Sequence, residues 1–404
     1  MKLRLRLLLF IWLCLLLTQS LFGQAAPALQ KPPEFLSAVE FSQLSRELSE
    51  DGGFFPSDNF TSNETSYLTI VDKLRQLQAA GGAYIGVGPE QNFTYVAKIR
   101  PQIAFIVDIR RQAIIQHLLY KAIFQLAPTR GQFLSLLLSR PFPKDKTPKA
   151  DAPLNELLAA LSALTADDKF YAENLAAIKK AITQDFEFPL NDADTKSLEY
   201  VYQSFRNDGF DIGFRLNRRG NGSAGGPPPG GFRGGGGGFG FGRFPTFKEL
   251  LAQTDLNGKQ GNFLASTDDY DFVRGMQRKN LIIPVVGDFA GKKALAGVGD
   301  YLRKRGLTVT AFYTSNVEMV LFQNGIYDAY AANVKTLLPV NDRSLIIRAA
   351  FARYSHPARL DGHTTFTMLQ LIPVFVKDYE AGKHGNYEEL ISTSYIAADK
   401  PPAR

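Results

Sequence analysis

The sequence contains very little of the chemistry that cysteine and histidine provide. Its single cysteine, Cys14, lies in an apolar stretch near the N-terminus, and the whole chain has only 4 histidines. The rest of the chain therefore cannot form disulfide bonds, thiol nucleophiles or cysteine-based zinc sites. The GxSxG, HExxH and P-loop motifs are also absent, which excludes the enzyme classes built on them.

The N-terminus has the pattern of an export signal. Three basic residues, Lys2, Arg4 and Arg6, precede the apolar run 7–17, and Gly23-Gln24-Ala25 is a small-residue cleavage site. The apolar run is short for a membrane span, which favours a cleaved signal. The alternative is that the segment is not cleaved and acts as a signal anchor. We predict that residues 1–25 are a cleaved signal peptide and that the protein is periplasmic or extracellular, with no stable membrane insertion after cleavage.

Charge gives little indication of a macromolecular partner. The formal net charge is +7, and cleavage of the signal removes three basic residues, so the mature chain is only mildly positive. Binding of nucleic acid normally requires a concentrated basic face, which this sequence does not show. We therefore expect a small-molecule ligand and no nucleic acid, and the oligomeric state is left open.

Composition divides the chain into a few segments. An exposed leader and a helix occupy residues 26–60, and a single domain occupies 61–404. Within that domain, residues 130–205 have a mostly helical pattern and are predicted to be a helical insertion. Residues 218–244 are so rich in glycine that we predict a disordered loop, either a tolerated insertion or a segment that contacts a partner.

The rest of the domain alternates between strands and helices. Short apolar runs at 83–87, 103–107 and 281–286 indicate buried strands, and helical patterns separate them. Such alternation predicts an α/β fold with a doubly wound, mostly parallel sheet of the Rossmann-like type.

A glycine motif follows the first of these strands. Gly86 and Gly88 form a GxG turn, and Asp108 lies twenty residues beyond Gly88 at the end of the next strand. In nucleotide-binding sheets such a turn lets the backbone approach a ligand, and the carboxylate accepts hydrogen bonds from ribose hydroxyls. Gln91 replaces the third glycine of the dinucleotide motif, which counts against NAD. The alternative is that the glycines only close a tight turn and that Asp108 caps the next helix.

Several stretches together resemble the class I methyltransferases that use S-adenosylmethionine. GGFFPSDN, SNE, GVGPEQN, FIVDIRR, PVVGDFAG and FYTSNVE are most similar to an uncharacterised group of exported bacterial methyltransferase-like proteins. The resemblance covers about residues 35–130 and 246–350. It implies a methyltransferase-type fold, with S-adenosylmethionine as the cofactor. The sequence departs from the family at Ala83-Tyr84, where an acidic residue is usual, and at Glu90, where a third glycine is usual.

The resemblance also implies roles for particular residues. Asp288 corresponds to the family's fourth-strand position, which faces the donor and the acceptor. The candidate catalytic residues are Asp288, Tyr313 and Asn316. The candidate cofactor-binding residues are Gly86, Gly88, Pro89, Glu90, Asn92, Asp108, Arg110, Asn63, Glu64, Gly287 and Phe289. No metal ligand is predicted.

Other interpretations of these residues remain open. Ser62 or Asn63 would cap a helix predicted over residues 64–79. Asp288, and either Ser315 or Asn316, would cap the helices that follow their strands. A metal cluster of His356, His363 and Asp361 is a further alternative, although these residues lack helical ligand spacing.

Three functions follow from the sequence. The first is an exported methyltransferase that transfers the methyl group of S-adenosylmethionine to an unidentified acceptor. The second is an exported, non-catalytic binding protein, a degenerate methyltransferase that uses the same cleft for another ligand. The third, an NAD-dependent oxidoreductase, is disfavoured by the absent third glycine.

Overall fold

The computed structural model describes residues 29–216 and 243–399. The predicted signal peptide lies outside these ranges, as does all of the predicted Gly-rich loop except Arg243 and Phe244. Within the described part of the chain, no helix is long and apolar enough to cross a membrane.

The described chain has a mixed α/β fold in which helices flank a sheet. Its strands, in chain order, are β1 Ser57–Asn59, β2 Ala83–Gly86, β3 Ile103–Asp108, β4 Phe214–Leu216, β5 Ile282–Val286, β6 Val309–Ser315, β7 Leu345–Phe351 and β8 Thr365–Leu371. Its α-helices are α1 Ala38–Leu48, α2 Val71–Gln76, α3 Gln91–Ile99, α4 Arg111–Leu126, α5 Arg130–Leu137, α6 Leu154–Ser162, α7 Asp168–Lys180, α8 Asp192–Asp208, α9 Phe247–Leu251, α10 Thr267–Arg278, α11 Ala294–Lys304, α12 Val317–Gln323, α13 Tyr327–Leu337, α14 Ile372–Glu380 and α15 Tyr387–Ser392.

Six strands form the central sheet in the order β5-β3-β2-β6-β7-β8. The first five run parallel, and β8 pairs antiparallel with β7. Every residue of β2, β3, β5 and β7 is buried, as expected for parallel strands covered on both faces. This architecture is compatible with a Rossmann-like fold. A separate pair, β1 and β4, lies outside the central sheet.

The helical segment predicted over residues 130–205 contains α5, α6, α7 and most of α8. Helix α4 is buried on nearly all sides. It packs against β3 and β5 and also contacts α5, α8 and α10. The helical segment therefore covers the face of α4 that would otherwise meet solvent.

Both edge strands of the central sheet, β5 and β8, contact other segments of the chain. At the β5 edge, α1 packs against the strand. The Ser45 hydroxyl donates to the carbonyl of Pro284, and the backbone N–H of Glu50 donates to the carbonyl of Val286 at 2.9 Å. At the β8 edge, Leu369 and Ile396 exchange backbone hydrogen bonds of 2.9 and 2.6 Å.

The helix predicted over residues 64–79 is much shorter in the structure, where only α2 is helical. The preceding residues form buried turns whose side chains bond to distant elements. The Ser66 hydroxyl lies 2.9 Å from the Thr365 hydroxyl and 2.8 Å from the Thr367 hydroxyl, both on β8. These tertiary hydrogen bonds favour turns over a continuous helix, because serine and threonine side chains compete with the helical backbone.

Candidate functional site

A crevice lies at the carboxyl ends of the parallel strands, where open α/β sheets bind ligands. The space between its atoms is about 1370 Å³ when its open mouth is included. The segments that follow β2, β3, β5 and β6, together with the end of β7, contribute to its lining. These residues include Gly88, Pro89, Asp108, Arg110, Gly287, Asp288, Phe289, Tyr313, Ser315, Asn316 and Phe351. We call this space the strand-end crevice.

The glycine turn after β2 is held from below by two side chains. The Asn92 amide donates to the carbonyls of Val87, Gly88 and Pro89 at 2.8–3.0 Å. His117 Nε2 lies 2.8 Å from the Gly88 carbonyl. A Cβ on Gly86 would stand 2.0 Å from the Asn92 side-chain oxygen, so only glycine permits this packing.

Gly88 has a different role in the same turn. Its φ is +79°, a left-handed conformation, and an added Cβ would meet nothing within 4 Å although the residue is buried. Since the Val87 carbonyl points to Asn92 and a trans peptide directs its N–H the opposite way, the Gly88 N–H points away from Asn92. The Gly88 N–H therefore lies on the side of the turn opposite Asn92, and Gly88 itself lines the strand-end crevice.

Asp108 and Arg110 form an ion pair at the end of β3. Arg110 Nε lies 3.1 Å from Asp108 Oδ1, and Nη2 lies 2.8 Å from Oδ2. The Arg110 backbone N–H also donates to Oδ1 at 2.9 Å, and Nη1 donates to the Ser57 carbonyl at 3.3 Å. A carboxylate has about four acceptor positions, and the Arg110 donors fill three of those on Asp108.

Asp288 follows β5 and has few partners. Its Oδ1 accepts from the Ala290 N–H at 2.9 Å. It does not cap α11, the role that the capping alternative assigned to it, because Glu50 Oε1 accepts from the Ala294 N–H at 2.7 Å instead. Burial raises the pKa of Asp288, the Ala290 hydrogen bond opposes this, and the negative charge of Glu50 raises the pKa further.

The end of β6 places three polar residues together. The Tyr313 hydroxyl donates to Glu64 Oε1 at 2.8 Å, and the Ser315 hydroxyl donates to the same oxygen. Asn316 occupies the N-cap position of α12 without a side-chain capping bond, so its predicted alternative role is not seen. Burial raises the pKa of Glu64, and its hydrogen bonds to Ser315, Gln91 and Tyr313 oppose the shift.

Four predicted cofactor-binding residues do not line the strand-end crevice. Gly86 and Asn92 lie beneath the glycine turn, and Glu64 contacts Tyr313 and Ser315 from behind. Glu90 lines a separate small cavity with Tyr67 and accepts from the Ser62 N–H at 3.2 Å. Burial raises the pKa of Glu90 to about 7. Asn63 and the remaining candidates do line the strand-end crevice.

Most of the apolar lining of the strand-end crevice was not predictable from local sequence. Phenylalanines at positions 54, 55, 214 and 244 and Met319 line the strand-end crevice. The GGFF stretch was part of the resemblance, but nothing local indicated that the short pairing of β1 with β4 brings Phe214 beside it. Only Asp108, Arg110 and Asp288 are charged among the described lining residues.

His356, a candidate ligand in the alternative metal cluster, has no ring nitrogen free to bind a metal. His356 Nε2 lies 3.0 Å from the Ile391 carbonyl, and its Nδ1 accepts from the Ala358 N–H at 3.1 Å. Both ring nitrogens are therefore occupied, which leaves no lone pair for a metal. No group of three or more metal-ligating side chains occurs within residues 29–216 and 243–399.

The model of a family described as "Domain of unknown function (DUF7790)" matches residues 59–201 and 245–393. The chain belongs to this family. No curated protein matches the chain.

The matched segments contain the strand ends with Gly88, Asp108, Asp288 and Ser315. Phe54, Phe55, Phe214 and Phe244 lie outside them. The part of the crevice that the family model covers is therefore the polar strand ends, whereas much of the aromatic lining belongs to segments that it does not cover.

Proposed function

We propose that the strand-end crevice binds S-adenosylmethionine or a related nucleoside, and that the protein transfers a methyl group to an acceptor. The observation that carries this proposal is the pair of neighbouring strand ends. The Gly88 backbone faces empty space at one of them, and the Asp108 carboxylate lines the same crevice at the other.

The strand order supports a doubly wound sheet of methyltransferase type. Counting from β2, the order β5-β3-β2-β6-β7 corresponds to 3-2-1-4-5 in doubly wound folds. The order reverses between β2 and β6, and such reversal points are where these sheets bind ligands. In this order β5 is the third strand and β6 the fourth. Asp288 therefore follows the third strand and not the fourth, to which the resemblance assigned it. The end of the fourth strand, β6, carries Ser315 and Asn316.

The charges favour an adenosyl ligand over a dinucleotide. A pyrophosphate requires positive charge or several free N–H groups, but Arg110, the one cation lining the described crevice, is paired with Asp108. Asp288 adds a negative charge that favours a cationic sulfonium. Asp108 Oδ2 would accept from a ribose hydroxyl, and the Gly88 N–H would donate to the carboxylate of the ligand.

The pairing of Asp108 with Arg110 also supports the second candidate, a non-catalytic binding protein. Three of the carboxylate's acceptor positions are already filled, so the ribose contact is weaker than that of a free carboxylate. The predicted export supports the same alternative, because the methyl donor is made in the cytoplasm.

Calorimetry on the mature protein tests the proposal with S-adenosylmethionine, S-adenosylhomocysteine and NAD. We expect the first two to bind and NAD not to bind. Asp108→Asn should weaken adenosyl binding about 10- to 150-fold, since a hydrogen bond to a charged group contributes about 1.5–3 kcal/mol.

Asp194 provides the matched control. It is buried and bonded twice by Arg111 at 2.9 Å, but it lies outside the crevice. Asp194→Asn should leave adenosyl affinity unchanged. Binding of NAD alone, or equal losses of affinity in both variants, would reject the adenosyl site. Tight binding without any methyl transfer would favour the non-catalytic candidate.

A further inference from the structure

Ser315 has an unusual backbone for its position at the end of β6. Its φ is +54°, in the left-handed region, and the pairing of β6 with β7 shifts register between Tyr313 and Ser315. A non-glycine residue in this conformation is strained, and such strain concentrates at functional sites. Here it directs the half-buried Ser315 hydroxyl to the buried Glu64 while the residue also lines the strand-end crevice.

The side chains that hydrogen-bond to the Glu64 carboxyl group all act as donors. The Glu64 side chain is 0% exposed, and Oε1 accepts from the Tyr313 and Ser315 hydroxyls while Oε2 accepts from the Gln91 amide at 3.0 Å. Three donors around one carboxyl group suit the ionised form, although burial favours the neutral one. Glu64 is therefore a buried base that reaches the crevice only through neighbouring hydroxyls.

The Ser315 hydroxyl has one proton, and it donates that proton to Glu64. Its oxygen can then only accept from a molecule in the crevice. A ligand group that reaches Ser315 must therefore bear its own O–H or N–H proton. Apolar side chains line the same crevice, among them Val317, Met319, Val320 and Phe351.

We propose, on the basis of the methyltransferase function above, that the methyl acceptor is an apolar phenol whose hydroxyl contacts Ser315. As the phenol oxygen forms its bond to the methyl carbon, the carbon–sulfur bond of the sulfonium breaks and its electron pair stays on sulfur. The phenol proton moves to Ser315 Oγ, and the Ser315 proton moves to Glu64 Oε1. A phenol suits this relay because its pKa of about 10 is far below that of an aliphatic alcohol.

Several titratable groups face Glu64. They are the phenols of Tyr84, Tyr95, Tyr313 and Tyr387 and the carboxyl group of Glu90. Burial raises the pKa of each phenol, so these groups stay neutral at ordinary pH. Glu90 is the one neighbour that titrates near neutrality, and the test has to separate it from Glu64.

The test measures methyl transfer from S-adenosylmethionine to p-cresol and 1-naphthol, with S-adenosylhomocysteine affinity measured in parallel. Ser315→Gly fits the left-handed backbone and removes the hydroxymethyl side chain. We expect it to lower kcat about 100-fold or more at unchanged S-adenosylhomocysteine affinity, the scale of general-base catalysis. The wild-type rate should rise with pH as Glu64 loses its proton and can act as a base. Glu64→Gln should lower kcat similarly and abolish this rise.

The controls make each outcome decisive. Glu90→Gln should retain the rise of rate with pH, and its loss there would assign the titration to Glu90 and overturn the relay. Full turnover in Ser315→Gly, or bound S-adenosylhomocysteine with neither phenol methylated, would also overturn it while leaving the donor site intact. Failure of S-adenosylhomocysteine to bind would reject the proposed function itself.

Discussion

Gly88 combines a left-handed backbone with an empty space where a side chain would stand. Gly86, two residues earlier, has the opposite environment, since an added Cβ would collide with Asn92. The two glycines therefore satisfy different requirements. Gly86 allows the turn to pack on its own support, whereas Gly88 keeps the backbone accessible from the strand-end crevice.

Gly88→Ala separates conformational strain from ligand binding. We expect the left-handed conformation to cost about 1–2 kcal/mol of folding free energy, and the new methyl group to weaken S-adenosylhomocysteine binding by occupying the crevice. Gly362→Ala is the matched control, because Gly362 has φ +81°, open space around it and no place in the crevice lining. Calorimetry and urea unfolding of both variants check this, and an equal loss of affinity in the two would contradict it.

His117 makes the glycine turn sensitive to acid. Burial lowers the pKa of His117 to about 4, so the neutral ring donates from Nε2 to the Gly88 carbonyl at neutral pH. The unfolded chain binds this proton near pH 6.5 and the folded chain does not. The stabilisation is therefore complete above pH 6.5 and is lost as the pH falls to about 4.

The expected loss of unfolding free energy from this one group is about 3 kcal/mol between pH 7 and pH 4. His117→Gln retains a donor for the Gly88 carbonyl but does not titrate. Urea unfolding across this range should give a shallower pH dependence for the variant than for the wild type. Parallel curves would show that His117 does not carry the effect.

At the scale of elements, two helix glycines should respond oppositely to alanine. A Cβ on Gly299, within α11, would lie 1.9 Å from the carbonyl oxygen of Leu337 at the end of α13, whereas Gly275 in α10 has open space. We expect Gly299→Ala to destabilise the fold by about 2–3 kcal/mol through overpacking. Gly275→Ala should stabilise it by about 1 kcal/mol through helix propensity. Urea unfolding measures both, and a stabilised Gly299→Ala would contradict the close approach of α11 and α13.

Local pattern was sufficient to predict three strands of the central sheet. The runs at 83–87, 103–107 and 281–286 agree with β2, β3 and β5 to within one residue, because buried parallel strands are continuous apolar segments. The helix predicted over 64–79 was mostly wrong. Its polar residues are fixed by contacts with β8 some 300 positions away, which no local period encodes.

The candidate site was predictable only where function follows strand ends. Gly88, Asp108 and Asp288 line one crevice because the carboxyl ends of parallel strands meet at one side of a sheet. The pairing of Asp108 with Arg110 and the relay from Ser315 to Glu64 depend on side-chain geometry. Strand order also decides which strand end faces the reversal point, and chain order alone cannot give it.

At the scale of the whole molecule, the N-terminal pattern predicts processing and export. Expression of the complete chain in a bacterial host should yield an exported protein that begins at Ala26. Mass spectrometry of the periplasmic and culture fractions measures the mature N-terminus. A substitution of Leu9 by Arg should keep the chain in the cytoplasm, because the charge interrupts the apolar run. A membrane-bound product that retains residues 1–25 would indicate a signal anchor.

The contacts at the two edge strands of the central sheet have a consequence for association between molecules. Unpaired edge strands recruit strands from other chains, and proline, covering helices and short flanking segments prevent this. Here Pro284 lacks a backbone donor in β5, and α1 packs against that edge strand. The segment around Ile396 pairs with the edge strand β8 through backbone hydrogen bonds. A chain shortened past α1 or before Ile396 would expose such an edge, so resistance to aggregation depends on segments remote from the crevice.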